Sequence, residues 1–267
     1  MIYLNKKHTE LEFFSKSKQF EYINNSPFPH IIIDNFFNEN LLNKILEEFP
    51  SNLDKIGYQY KTNTEQKKFT LNDSKLLSEN VNNFINFLNS QIFLNFLQTL
   101  TGIKEKLQSD PYLAGGGLHE LKNNGFLNIH CDFNLHPTLK LDRRLNVLIY
   151  LNKNWNENLG GSLELWDKNM SKCEKKIIPI FNRMVIFSTT DFSYHGNPDK
   201  INCPNNRSRK SIALYYYSNG RPSHERKLGL HSTIFRKRPN SDDPDGNIEF
   251  KKLFGKIYYR NKKKLDK

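Results

Sequence analysis

The residues best suited to chemistry in this 267-residue chain are His130, Asp132, His195 and Arg209. His130 and Asp132 stand two apart in Asn128-Ile129-His130-Cys131-Asp132, which reads as a strand, so both side chains leave the same face. An imidazole nitrogen and a carboxylate oxygen converging from one strand are two of the three ligands in a two-histidine, one-carboxylate facial triad. That set leaves the opposite side of a metal open. A His-x-Asp pair alone is common, and a second histidine gives it meaning. His195 lies 65 residues further on, at the end of what reads as an apolar strand, and is available as third ligand. Fourteen residues later Arg209 opens a run ending Leu214-Tyr215-Tyr216-Tyr217, in which alternation places Arg209, Ser211, Ala213 and Tyr215 on one face. Most of that face is small or polar, as a cavity wall would be, and a guanidinium on it can clamp a carboxylate by two parallel hydrogen bonds.

These groups need a rigid frame. From Tyr112 onward the chain breaks into short runs rich in Val, Ile, Leu, Phe and Tyr, separated by Gly, Asn, Asp and Pro. Strands are predicted over 118–121, 126–131, 146–151, 162–166, 175–180, 184–188 and 211–217, a pattern that argues for a mainly β barrel or jelly roll. Before them, His30-Ile31-Ile32-Ile33-Asp34 reads as a short strand and Asn38 as the cap of a helix burying Leu41, Leu42, Ile45, Leu46 and Phe49 up to Pro50. A second helical pattern runs over 74–101, with Leu77, Val81, Phe84, Ile85, Leu88, Ile92, Phe96 and Leu100 at steps of three or four and Gly102 as its stop. Residues 51–72 read as a polar loop. Helices first and strands afterwards predict flanking helices packed on one face of the β core.

Composition narrows the class. The length suits one catalytic domain with appendages. The net charge of +12 raises nucleic acid as a partner, but eight basic residues and one acid lie between Lys251 and Lys267, so seven of those charges sit in a tail. The remainder is near balance, which makes a nucleic-acid role unlikely on charge grounds. Cys131, Cys173 and Cys203 form no metal or disulfide pattern, which fits a reducing compartment. With no leader-like amino terminus and no long apolar run, a cytoplasmic protein without a membrane partner is expected, and its oligomeric state is open.

Several other residues have a functional and a plainer reading. Gly115-Gly116-Gly117 is followed by no Gly-Lys-Ser/Thr, so close backbone approach is expected rather than a nucleotide loop. His119 either touches a ligand or is structural. His136 reads as a solvated loop histidine, Asp142-Arg143-Arg144 as either a substrate-facing basic pair near the cavity mouth or an ion-paired turn, Trp166 as core, and Cys131 as buried and inert because alternation turns it away from its neighbours.

The order His130-x-Asp132, His195, then Arg209 opening a strand resembles the iron(II)- and 2-oxoglutarate-dependent oxygenase superfamily, its prolyl-hydroxylase-like branch in particular. The likeness covers roughly residues 115–220. Within it, Arg144-Leu145-Asn146-Val147-Leu148-Ile149-Tyr150-Leu151-Asn152-Lys153-Asn154-Trp155, then Gly160-Gly161-Ser162-Leu163-Glu164-Leu165-Trp166, is similar to the matching block of the oxygen-sensing prolyl hydroxylases. Pro27-Phe28-Pro29-His30 and Ile33-Asp34-Asn35-Phe36-Phe37 resemble the start of many microbial members. The resemblance implies a double-stranded β-helix (jelly-roll) core over 111–220. An N-terminal strand and helical support region of the same domain would occupy 1–110, and a C-terminal extension with a basic tail 221–267.

It also implies that His130, Asp132 and His195 ligate iron(II), that Arg209 pairs with the distal carboxylate of 2-oxoglutarate, and that Tyr150 hydrogen-bonds the same carboxylate. Arg209 sits further from His195 than is usual in the family, which leaves Arg207 as a competitor, although strand register favours Arg209. The implied reaction consumes O2 and 2-oxoglutarate, with ascorbate as a possible reductant, and hydroxylates an unactivated C–H bond. Related halogenases lack the carboxylate that Asp132 supplies, which argues against halogenation. The substrate would be a peptidyl residue or a free amino acid or small biosynthetic intermediate. A non-catalytic jelly-roll binding module is the alternative from another class.

Overall fold

The computed structural model describes residues 2–244. Its first half contains helix α1 (Leu11–Asn24), strand β1 (His30–Asp34), helices α2 (Glu39–Glu47) and α3 (Leu53–Ile56), the hairpin β2 (Tyr58–Tyr60) and β3 (Glu65–Leu71), and helices α4 (Glu79–Leu88) and α5 (Gln91–Thr101). The rest is β: β4 (Leu107–Gln108), the long β5 (Gly117–Cys131), β6 (Asp142–Tyr150), β7 (Leu163–Trp166), β8 (Cys173–Ile177), β9 (Arg183–Ser188), β10 (His195–Asn197), β11 (Arg209–Ser218) and β12 (Ile234–Phe235). The main path runs β1-β9-β6-β11-β5-β10-β7-β8, and its pairs are antiparallel. The sheet curls into the jelly-roll core that the strand pattern predicts, with the helices against one face.

Period-two alternation explains both faces of the central strands. On β6, Leu145, Val147 and Ile149 join the core under the helices, whereas Asn146 and Leu148 line the concave side and Tyr150 packs with Leu163 and Val185. On β11, Ile212, Leu214 and Tyr216 point to the helices while Arg209, Ser211 and Tyr215 face the cavity. The helical layer supplies Leu42, Ile45, Phe84, Phe93 and Phe96 to the same core. Phe37 sits at its centre, fully buried and edge-on to Phe36 and Phe84 at 5.0 Å from each. Phe37→Ala is expected to cost about 3–5 kcal/mol, because truncation leaves an aromatic-sized void. Denaturant unfolding measures this directly.

Asn38 caps α2 through the Leu41 amide, and Gly102 ends α5 at φ 67°, as the sequence predicts. The single pattern over 74–101 is in fact interrupted. Asn89 closes α4 and Ser90 caps α5, so the apolar spacing continues across a corner and Ile92 is left 52% exposed. Residues 51–72 are not a loop but hold α3, β2 and β3. β3 carries mostly polar residues and becomes a strand by pairing with β5, a long-range interaction that local pattern does not encode. Helix α1 has no apolar stripe, since Phe13 and Phe20 are 72% and 79% exposed while Leu11 and Tyr22 are buried. At the glycine triplet the backbones approach closely: a Cβ on Gly116 would lie 2.7 Å from the Ala213 carbonyl oxygen. The basic tail over 251–267 falls outside the described residues. Among those described, no helix is long and apolar enough to cross a membrane.

Candidate active site

β5 and β10 lie side by side with His195 opposite His130, so backbone pairing alone sets the two imidazoles together, with ring centroids 4.5 Å apart. His195 therefore begins a three-residue strand rather than ending an apolar one. A register shift between these strands sets Asn197 opposite Leu127 rather than Asn128. One extra residue on β5 changes its parity, so that His119, Leu121 and Leu127 as well as His130 and Asp132 face one cavity of about 560 Å³, counting its open mouth.

Donor atoms of His130, Asp132 and His195 all lie within 4.8 Å of one another. Asp132 Oδ1 is 3.6 Å from His130 Nε2, and its Oδ2 is 3.3 Å from His195 Nε2. The Nδ1–H of His130 donates to the Asn128 carbonyl at 2.8 Å and that of His195 to the Ser193 carbonyl at 2.9 Å. A carbonyl only accepts, so each Nδ1 carries the proton and each Nε2 keeps its lone pair for the space between the three groups. Burial, then the His195 imidazole, pushes the His130 pKa down, which also favours the neutral ring.

Asp132 is fixed from behind. Asn146 Nδ2 donates to its Oδ2 at 2.8 Å, and Arg143 Nη2 lies 3.1 Å from the same oxygen. Arg143 donates twice more to Asn146 Oδ1 and is held between the rings of Phe133 and Tyr215, 4.5 and 3.5 Å from their centroids. Burial works against the Asp132 charge, but the Arg143 guanidinium and the two imidazoles outweigh it and hold the carboxyl well below the ordinary carboxylate range.

Arg209 faces the same cavity and is 4% exposed. Its Nε donates to the Gly161 carbonyl at 2.8 Å and its Nη2 to Tyr150 Oη at 3.4 Å. Among the described residues no carboxylate lies within salt-bridge distance of it, unlike the buried Arg143, Arg144 and Arg221, which face Asp132, Glu105 and Glu225. A buried guanidinium without an acid is costly unless a ligand brings the anion. Gly161 makes room, because a Cβ there would meet Arg209 Cδ at 2.9 Å. Arg207 lies outside, over the Trp155 ring at 5.5 Å and donating to the Lys153 carbonyl.

A model of the 2OG-Fe(II) oxygenase superfamily matches residues 116–217, the segment that holds all four of these groups. Over that segment the chain is similar to the superfamily. Within it, the prolyl 3-hydroxylase OGFOD1 of Mus musculus is 30% identical over 79 residues, 28% of this chain and 14% of that protein, so the match spans only a small part of the relative's length. Among solved structures, a prolyl hydroxylase from Trichoplax adhaerens, in complex with a hypoxia inducible factor peptide fragment, superposes with a TM-score of 0.56 at 22% identity. That alignment covers 84% of this chain and 96% of the other. A prolyl 4-hydroxylase from Phytophthora capsici gives 0.56 at 18% identity over 80% of this chain and 66% of the other. One from Pseudomonas putida gives 0.54 at 12% identity over 77% and 100%. These likenesses establish the fold.

The remaining candidates divide. His119 lines the cavity, and burial, then nearby Lys68, pushes its pKa down to about 3, so it stands there neutral. His136 is not solvated: it is fully buried, donates from Nε2 to Asp110 at 3.0 Å, and packs edge-on to Tyr217. Asp142, Arg143 and Arg144 open β6 rather than forming a turn, with Asp142 paired to Arg226 and Arg144 to Glu105. Trp166 and Cys131 pack together beside Ile129 and Tyr194, away from the cavity, and burial raises the Cys131 thiol to about 12. Asn146 was findable, since it shares a face with Tyr150 four residues on. Arg143 is singled out by the sequence as one of a basic pair, but its place behind Asp132 is not, because a register shift between β6 and β11 at Tyr216/Tyr217 turns it inward against strict alternation.

Proposed function

We propose that this oxygenase uses iron(II) and 2-oxoglutarate to hydroxylate an unactivated C–H bond of a peptidyl residue, prolyl being the first to test. The observation that carries this reading is Arg209, a buried guanidinium with no acid of its own among the described residues, in the cavity onto which His130, Asp132 and His195 converge. Two imidazoles whose Nδ1–H groups are engaged elsewhere and one ionised carboxylate are the donor set iron(II) takes with open positions left over, so the residues fit the metal. His130, Asp132 and His195 hold the iron, and Arg209 with Tyr150 receives the distal carboxylate of 2-oxoglutarate. When bound, iron and 2-oxoglutarate together activate dioxygen, 2-oxoglutarate ending as succinate and carbon dioxide as the substrate carbon gains a hydroxyl group. The chain's own part is geometric. The Asn128 and Ser193 carbonyls fix both ring tautomers, Arg143 and Asn146 fix Asp132, and Leu121, Leu148 and Leu163 flank the cavity and limit water.

The peptidyl substrate is supported by the likeness to a prolyl 3-hydroxylase over 79 residues. Adding iron(II) and 2-oxoglutarate without oxygen, then looking for the weak visible band of the chelate, tests the site without a substrate. No band at saturating concentrations of both would sink the reading. Peptide libraries with and without proline, scored by mass for a gain of one oxygen, test the substrate class. Asn146→Leu is expected to weaken iron(II) binding about 10–100-fold, because Asp132 loses its hydrogen bond and Arg143 the one oxygen that accepts two of its N–H groups. A metal titration with unchanged affinity would assign Asn146 to the fold alone.

A further inference from the structure

Among the described residues, several buried side-chain donors and acceptors have no partner, and Asn197 is the one of them that lines the cavity. It is 4% exposed, and its Nδ2 makes no hydrogen bond. An amide donor left in this state is costly, and packing does not explain it, since leucine fills such a site without the penalty.

The register says where this donor stands. β10 places His195 beside Leu165 and Gly196 beside Glu164, so the next residue, Asn197, falls level with Leu163, and on the other side it pairs with Leu127. Two residues before Leu163, the Gly161 carbonyl takes the Nε–H of Arg209. Asn197 therefore lies one step from the metal-facing row and one step from the arginine. Its neighbours there, Leu127 and Leu163, offer no side-chain acceptor, so this donor is free for a ligand in the cavity. Oxygens that bind a metal spend their lone pairs on it. The distal carboxylate has lone pairs to spare, since Arg209 and Tyr150 need not fill all of them.

We infer that Asn197 is a positioning residue for the co-substrate: its amide N–H donates to the same distal carboxylate that Arg209 receives. This rests on the reading of the cavity as a 2-oxoglutarate site. It adds a neutral donor on the strand that also carries His195, so that one strand fixes the metal end and the carboxylate end of the ligand together.

The test is anaerobic calorimetric titration of the full-length, iron(II)-loaded protein with 2-oxoglutarate and with 2-oxopentanoate. The latter keeps the 2-oxo acid end and carries a methyl group in place of the distal carboxylate. Asn197→Leu is expected to weaken 2-oxoglutarate about tenfold and to leave 2-oxopentanoate unchanged, the loss of one hydrogen bond to a charged acceptor. Asn197→Val, with less bulk, should give the same pattern and serves if the leucine variant does not fold. Unchanged 2-oxoglutarate affinity, or equal losses for both acids, overturns the inference while leaving the site reading intact. Failure of the wild-type protein to bind 2-oxoglutarate, or to prefer it over 2-oxopentanoate, overturns the site reading itself.

Discussion

His130→Ala is expected to abolish succinate release from 2-oxoglutarate in the presence of iron and ascorbate, a fall of at least about a thousandfold. The remaining pair, Asp132 and His195, cannot replace the missing donor, because no other imidazole or carboxylate among the described residues joins their cluster. The other histidine lining the cavity, His119, spends its Nε2 on the Gly115 carbonyl. The fold should survive, since His130 contributes side-chain contacts to His195 and Phe235 but belongs to none of the apolar clusters. Succinate measured by NMR, alongside a thermal melt, checks both halves. Near-normal turnover in the variant would remove His130 from the metal.

Arg209→Met separates a ligand anchor from a structural arginine. If Arg209 served the fold as Arg144 does through Glu105 and Glu225, its loss would leave an acid without its partner and destabilise the protein. Among the described residues Arg209 has no such partner, so stability should hold or rise, whereas the KM for 2-oxoglutarate should increase about a hundredfold as the ligand carboxylate loses its charged partner. Arg207→Ala, outside the cavity on Trp155, should leave that KM within about twofold, in line with the small effects usual at surface positions. Equal effects from the two variants, or a large fall in melting temperature for Arg209→Met with affinity unchanged, would reverse the assignment.

Much of this arrangement could be read from the chain because β6 and β11 obey period two. Leu145, Val147 and Ile149 against Leu148 and Tyr150, and Ile212 and Leu214 against Arg209 and Ser211, declare an apolar face and a cavity face in the residues themselves. What escaped reading depends on partners distant in sequence. β3 is polar and borrows its conformation from β5, α1 spreads its aromatics around the helix, and His136 looks solvated until Asp110 closes over it. Arg143 and the parity change between Leu127 and His130 both arise at irregular strand pairings, which sequence alternation by its nature cannot register. The break at Asn89 and Ser90 was hidden for the opposite reason: apolar spacing continues through it, and only the serine cap marks the corner.

The chain does not leave the site at Tyr217. His231 and Asp191, both fully buried and 2.9 Å apart, anchor a returning segment whose Ile234 and Phe235 pair with Cys131 and His130, and the Arg236 amide donates to the Ile129 carbonyl. On that border of β5 the backbone groups beside His130 are closed off by residues well beyond the oxygenase match. A version of the protein trimmed to residues 116–217 or 111–220 would uncover a raw strand edge at His130 itself. Such an edge recruits other strands. Self-association and loss of iron would then appear together in the trimmed protein, and the boundary of the working unit lies past Arg236 rather than at the end of the sequence likeness.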